Sequence, residues 1–309
     1  MRGQARIVHD PFVGTRYRAR GLLGQGRFAI AYEVEKPATG ERLVAKLQRR
    51  SLTLDVNEET HERVAARMRV DADALRELAT LRHPNVVRFV DCDRTADNRT
   101  FIVTELLEGE LLDDRFERQS FSVSECLRLT CQLCSALSAA HGIRVVHRDI
   151  HLRNLFLAER ARRQPTLVVL DFGLAKILEG SPVAPLDVPT DEDLLLGAPR
   201  AMAPEAVRSE PVDHRADVYA AGLVLLSLLT GERAFADLLA TREIYLAHVW
   251  RELPRPSDVR SDVPAALDQV VEKAVAKYPD QRFQSADALA QALRRVRISA
   301  PSEEEEELA

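Results

Sequence analysis

The stretch HRDIHLRN, His147 to Asn154, decides how this chain is read. It sets Asp149 five positions ahead of Asn154, directly after the apolar pair Val145-Val146. A carboxylate such as Asp149 can accept a hydrogen bond from an attacking hydroxyl. Asn154 carries an amide oxygen of the kind that hard cations accept as a ligand. Further on, the apolar run Leu167 to Leu170 ends in Asp171-Phe172-Gly173, which supplies a second carboxylate. Two short apolar strands flanking a polar loop would hold these three oxygen-bearing side chains.

The bulk properties suit a folded protein of ordinary type. Of 309 residues, 46% are hydrophobic and 29% charged, enough for a large core or two packed lobes. A net charge of -5 gives no reason to expect nucleic acid as a partner. The arginine runs Arg49-Arg50 and Arg160 to Arg163 are short and read as solvated loops. The start, MRGQARIVHDPF, has no continuous apolar segment, so a cytoplasmic protein is expected. The apolar stretch from Val218 to Leu229 is too short for a bilayer, which needs ~20 residues, and reads as a buried helix. Cys131 and Cys134 form a CxxC, but in a helical pattern with no second pair to complete a zinc site; with Cys92 and Cys126 they read as core or groove residues.

Along the chain, residues 14 to 47 alternate like an antiparallel ribbon, with a turn at Ala38-Thr39-Gly40. Residues 57 to 82 have helical spacing and end at His83-Pro84. VVRFVDCD and TFIVTELL, within 86–107, read as two more strands. After Gly109 the pattern is mainly helical. Ser122 with Glu125 forms a capping pair ahead of a long helix. The segment 178–200, with Pro182, Pro185, Pro189, Pro199 and the acids Asp191 to Asp193, reads as a mobile loop. The end, PSEEEEELA, reads as a disordered acidic tail.

Gly24-x-Gly26 lies between two strand-like segments, which argues against a dinucleotide fold, where the glycine turn opens a helix. One hairpin later Val44-Ala45-Lys46 places a lysine on a strand, where it can meet phosphate. Lys46, Asp149, Asn154 and Asp171 together supply what phosphoryl transfer needs: a clamp on a triphosphate, metal ligands and a positioned acceptor hydroxyl.

At this point the chain resembles the protein-kinase superfamily, in particular the bacterial serine/threonine kinases of eukaryotic type, over residues 14 to 296. Ala203-Pro204-Glu205 matches the APE motif. DVYAAGLVLLSLLTGE, from Asp217, matches the buried helix whose aspartate holds the catalytic-loop backbone. KYPDQRFQSADALAQAL matches the last helical segment, where the resemblance implies that Arg282 pairs with Glu205. It also implies a gatekeeper at Thr104, an adenine-binding hinge through Glu105 and Leu107, a nucleotide cradle at Gly24, Gly26 and Ala45, and a phosphate contact from Lys46. Asp171 and Asn154 would bind Mg²⁺ or Mn²⁺, and Arg148 would meet an activation-loop phosphate, with Thr190 the better-placed hydroxyl.

The chain departs from that pattern at four places. The third loop glycine is Ala29, and the valine two further on is Ala31. Nine positions before His83, where a glutamate would pair with the strand lysine, stands Ala74; of the nearby acids Asp71, Asp73 and Glu77, the longest, Glu77, is the favoured partner of Lys46. His151 replaces the catalytic-loop lysine, and Arg153 carries a guanidinium suited to phosphate, so both are candidates to steady transferred charge. Ala198 stands where a threonine would join the loop aspartate to that lysine.

The resemblance therefore implies an α+β, two-lobed fold with an N-lobe of antiparallel sheet plus one helix (about 14–107), a mainly helical C-lobe (about 108–296), an N-terminal extension (1–13) and a tail (297–309). The implied activity is transfer of the ATP γ-phosphoryl group to protein hydroxyls, serine or threonine, with Asp149 positioning the hydroxyl. A pseudokinase that binds nucleotide and a small-molecule kinase are the alternatives. The implied partners are ATP and protein substrates, without nucleic acid or membrane.

Overall fold

The computed structural model describes residues 10–26, 29–49, 77, 79–159, 164–172, 176–177 and 199–297. Most of the helix expected over 57–82, residues 178–198 of the loop expected over 178–200, nearly all of the tail, and positions Asp71, Asp73, Ala74, Gly173, Ser181, Thr190, Asp191 to Asp193 and Ala198 lie outside these residues.

The N-terminal lobe is a sheet of β1 (Arg18–Gln25), β2 (Ala29–Lys36), β3 (Glu41–Gln48), β4 (Phe89–Arg94) and β5 (Thr100–Glu105). Its order is β1-β2-β3-β5-β4, antiparallel at every pairing. The two-residue period of a strand decides what each face does. Leu43, Ala45 and Leu47 of β3 are fully buried and join Val34, Phe101 and Val103 in the lobe's core. Phe12 completes this core with edge-on ring contacts to Tyr32 and Phe101, at centroid distances of 5.5 and 5.0 Å. The core therefore recruits residues ahead of the boundary expected at 14. The opposite face of β3 carries Val44 and Lys46, whose neighbours across β5 are Thr104 and Ile102.

The C-terminal lobe opens with β6 (Gly109–Leu111), α1 (Leu112–Phe116), α2 (Val123–Gly142) and β7 (Val145–Val146). As the capping pair implied, Ser122 Oγ accepts the Glu125 N–H at 3.2 Å. A 3-10 turn over Leu152–Asn154 leads into β8 (Leu155–Ala158), β9 (Thr166–Val169) and β10 (Lys176–Ile177). There follow α3 (Pro204–Val207), α4 (Arg215–Thr230), α5 (Thr241–Trp250), α6 (Pro256–Val259), α7 (Ala266–Ala274) and α8 (Ala286–Arg295).

Helix α4 is the apolar stretch seen in the sequence, and it is buried on all sides from Ala216 to Leu229. A helix hydrophobic all round belongs in the middle of a lobe. Gly222 permits its close approach to α7, because a Cβ there would lie 2.8 Å from the Ala274 Cβ. Cys126 and Cys134 are buried in the same core, where desolvation pushes the Cys126 thiol up to about 12. No helix of the described residues is long and apolar enough to cross a membrane.

The lobes meet through backbone. Val87 N–H donates to the Val169 carbonyl at 3.0 Å, and Val169 N–H to the Asn85 carbonyl at 2.8 Å. Asn85 Nδ2 adds a bond to the Leu167 carbonyl at 2.7 Å. These bonds fix β9, and with it Asp171, against the segment that enters the N-lobe sheet.

Candidate active site

The loop that follows β7 is held from below by one buried carboxylate. Asp217, in the first turn of α4, accepts the N–H of His147 at 2.9 Å and that of Arg148 at 2.8 Å. His141 Nε2 bonds the same carboxylate at 2.8 Å. Asp217 is 1% exposed. Burial pushes its carboxyl up, but the hydrogen bond and charge interaction with His141 and the hydrogen bond from the His147 N–H outweigh that, leaving it below the ordinary carboxylate range. The anchoring compensates a cost in the backbone: Arg148 has φ of 64°, a left-handed conformation that bulky side chains avoid.

His147 fixes the other side of the loop. Its Nε2 lies 2.8 Å from the Leu170 carbonyl and its Nδ1 3.2 Å from the Asp149 N–H. Only a neutral ring with its proton on Nε2 satisfies both, since the carbonyl needs a donor and the amide an acceptor. His147 thereby ties the residue before Asp171 to Asp149, and its ring lies against Phe172 at 4.6 Å.

Asn154 and Asp149 then meet. Asn154 Nδ2 donates to the Asp149 carbonyl at 2.9 Å and to its Oδ2 at 3.1 Å. With the nitrogen so engaged, the amide oxygen is the Asn154 atom that could serve as a ligand to a hard cation. His151 is the neighbour on the same carboxylate, its Nε2 3.5 Å from Asp149 Oδ2. Lys46 crosses from β3 to form an ion pair with Asp171 Oδ1. Asp171 has φ of 46°, so the carboxylate is presented by a strained residue.

Three expectations are corrected by these positions. Ala45 is fully buried in the N-lobe core, on the face opposite Lys46; Val44, one residue earlier, shares the lysine's face and neighbours Thr104. Counting two back from the lysine along a strand would have found it. Glu77 is exposed, and Lys46 is given to Asp171 instead. Arg153 is bound away from Asp149: its Nε donates to Asp113 Oδ2 on α1 at 3.0 Å, and its side chain is 75% exposed.

The remaining expected residues fall around this centre. Gly24 neighbours Ala31 across β1 and β2, and Gly26 N–H closes the turn onto the Ala29 carbonyl at 2.8 Å. Glu105 exchanges with Arg88, donating its N–H to the Arg88 carbonyl and accepting the Arg88 N–H on Oε1, both at 2.9 Å. Leu107 packs with Phe156 and Leu170 on Val87, Ala158 and Val168. Phe156 carried no signal in the sequence, nor did His141 or the Asp113 contact, because each depends on a chain-remote partner. Below the loop, Glu205 and Arg282 form a bidentate pair at 2.8 and 2.6 Å, both essentially inaccessible. Arg282 also lies 4.9 Å from the Tyr219 ring centroid.

This assembly of a strand lysine, two carboxylates, an amide and a paired APE glutamate agrees with comparison to known proteins. Residues 17–293 match the family described as protein kinase domain. Among similar curated proteins, the serine/threonine-protein kinase Pkn1 of Myxococcus xanthus is 34% identical over 301 residues, 95% of this chain and 41% of that protein. Pkn3 of the same organism is 31% identical over 294 residues, 93% of this chain and 52% of that protein. The serine/threonine-protein kinase PksC of Streptomyces coelicolor is 30% identical over 305 residues, 96% of this chain and 52% of that protein. The chain thus spans about half the length, or less, of these relatives. It belongs to the protein kinase domain family, alongside bacterial serine/threonine kinases of eukaryotic type.

Proposed function

We propose that this chain transfers the γ-phosphoryl group of ATP to serine or threonine hydroxyls of proteins. The observation that carries the reading is the Asp149 carboxylate held by Asn154, in one backbone frame with Asp171 and Lys46. The names of the relatives support the same reaction class.

The donor set fits a nucleotide with Mg²⁺ or Mn²⁺. Asp171 and the Asn154 amide are hard oxygen donors. Lys46 is a point charge suited to phosphate. MgATP, when bound, supplies the phosphoryl group and neutralises charge as the group moves. The chain's own residues do the rest. Lys46 holds phosphate oxygens, and Asp171 and Asn154 hold metal. Asp149 accepts a hydrogen bond from the acceptor hydroxyl and fixes its approach. His151, whose Nε2 lies 3.5 Å from the same carboxylate, would donate toward the transferred group. Val44, Thr104, Glu105, Leu107 and Phe156 form the wall and hinge for the base.

Incubation with γ-labelled ATP, Mg²⁺ and a generic protein acceptor tests this. Label on protein hydroxyls is the expected result. Label on small molecules alone would identify a small-molecule kinase. No transfer, with MgATP still raising the melting temperature, would identify a pseudokinase.

A further inference from the structure

Arg153 adjoins Asn154, and Asn154 touches the carboxylate that positions the acceptor hydroxyl. Arg153 leaves the same loop one residue earlier, on the part of the molecule that a segment carrying the acceptor hydroxyl has to approach. Its guanidinium is anchored at one point, Nε to Asp113 Oδ2 at 3.0 Å, while three-quarters of the side chain faces solvent. Among the described residues it has no other ion pair.

The anchor itself is spent. The second oxygen of Asp113 takes Arg233 Nη2 at 2.6 Å, and Asp113 is only 14% exposed. Burial pushes its carboxyl up, but the hydrogen bonds from Arg233 and Arg153 hold it below the usual range, so it stays ionised and bound. Arg233 is equally occupied: it also pairs with Glu117 at 2.5 Å and lies over the Phe116 ring. On the far side of the same segment, Arg200 donates to the carbonyls of Ala234, Phe235 and Leu238. Four remote pieces of chain are thus tied into one rim: the catalytic loop, α1, the segment after α4, and the residues ahead of Ala203-Pro204-Glu205. Asp113, Glu117, Arg153 and Arg233 balance in formal charge, and of the two guanidinium groups that of Arg153 is the more open to solvent, 75% exposed against 34%.

We propose that Arg153 is a specificity residue that selects acceptor segments carrying an aspartate or glutamate beside the phosphorylated hydroxyl. This rests on the protein-phosphotransfer reading above. The Nη1 and Nη2 groups of a guanidinium anchored through Nε form a fork that matches a carboxylate. Fixing the fork in advance lowers the side-chain entropy lost on binding. The competing role is a staple that only joins α1 to the loop. A staple would serve every acceptor equally.

The test uses peptides identical except for the residues flanking one serine or threonine, which are Glu, Gln or Lys. The wild type should show kcat/KM for the Glu peptide about tenfold above Gln, with Lys lowest, and added salt should narrow the spread. Arg153→Glu should invert the order of Glu and Lys, and Arg153→Lys should keep the order with a smaller spread. Equal kcat/KM for the three peptides in the wild type overturns the inference, as does an Arg153→Glu variant that lowers all three by one factor. The wild-type comparison stands even if a variant fails to fold. Absence of any Asp149-dependent transfer overturns the kinase reading and this inference together; Asp149-dependent transfer without charge preference overturns this inference alone.

Discussion

Asn154 donates one amide group to two oxygens of Asp149, its main-chain carbonyl at 2.9 Å and its Oδ2 at 3.1 Å. On the proposed reading, one residue would orient the carboxylate that meets the acceptor and offer its own oxygen to the metal. Asn154→Ala removes both functions. It is expected to lower kcat by ~10²-fold or more, the order for losing one preorganised polar group, and to weaken the Mg²⁺ dependence of ATP binding. Steady-state kinetics across a Mg²⁺ titration check this; an unchanged metal dependence would separate Asn154 from the metal.

His151 tests the altered loop. A group that acts on charge developing during transfer affects kcat more than nucleotide affinity. His151→Ala should lower kcat with little change in KM for ATP, and His151→Lys should keep or raise activity. If His151→Lys abolishes transfer while MgATP binding persists, the loop works only with an imidazole beside Asp149.

The Glu205–Arg282 pair bears on stability. Removing one partner of a buried pair strands a charge, at a cost of about 3–5 kcal/mol. Glu205→Ala should lower the melting temperature by roughly 6–20 °C, at 2–4 °C per kcal/mol for a domain of this size. Glu205→Leu with Arg282→Met should recover part of that loss. A double variant as unstable as the single one would show that Arg282 works chiefly through its bonds to the carbonyls of Ala276 and Arg215.

Asp217 gives a pH signature. Its folded-state carboxyl lies below the ordinary range, so its contribution is complete above the unfolded-state value and is lost as pH falls through the folded one. Wild-type stability should therefore fall with acid more steeply than that of Asp217→Asn, by at most about 1.4 kcal/mol per pH unit for one proton. Denaturant unfolding from about pH 5 down to about pH 3, across and below the ordinary aspartate value of about 3.9, measures the two slopes. Equal slopes would mean that Asp217 titrates normally.

The candidate site was legible in the sequence where its residues are local in spacing. Asp149, Asn154 and Asp171 sit at fixed offsets from short apolar strands, and the apolar run Val218 to Leu229 of α4 announces its own burial. What was illegible depends on partners far along the chain. Arg153 reads as a phosphate ligand until Asp113, forty residues earlier, is seen to hold it. Lys46 reads as the partner of a helix glutamate until Asp171 takes it. Ala45 was misplaced for a different reason: strand alternation puts Val44, and not Ala45, on the lysine's face.

The central claim is that Asp149 serves phosphoryl transfer to protein. The most direct measurement compares wild type with Asp149→Asn in labelled transfer from MgATP to a serine- or threonine-containing peptide, with nucleotide binding followed in parallel by thermal shift. The account predicts transfer by the wild type, none above background for Asp149→Asn, and the same MgATP-induced stabilisation in both. Two proteins equally silent while both bind MgATP would contradict it.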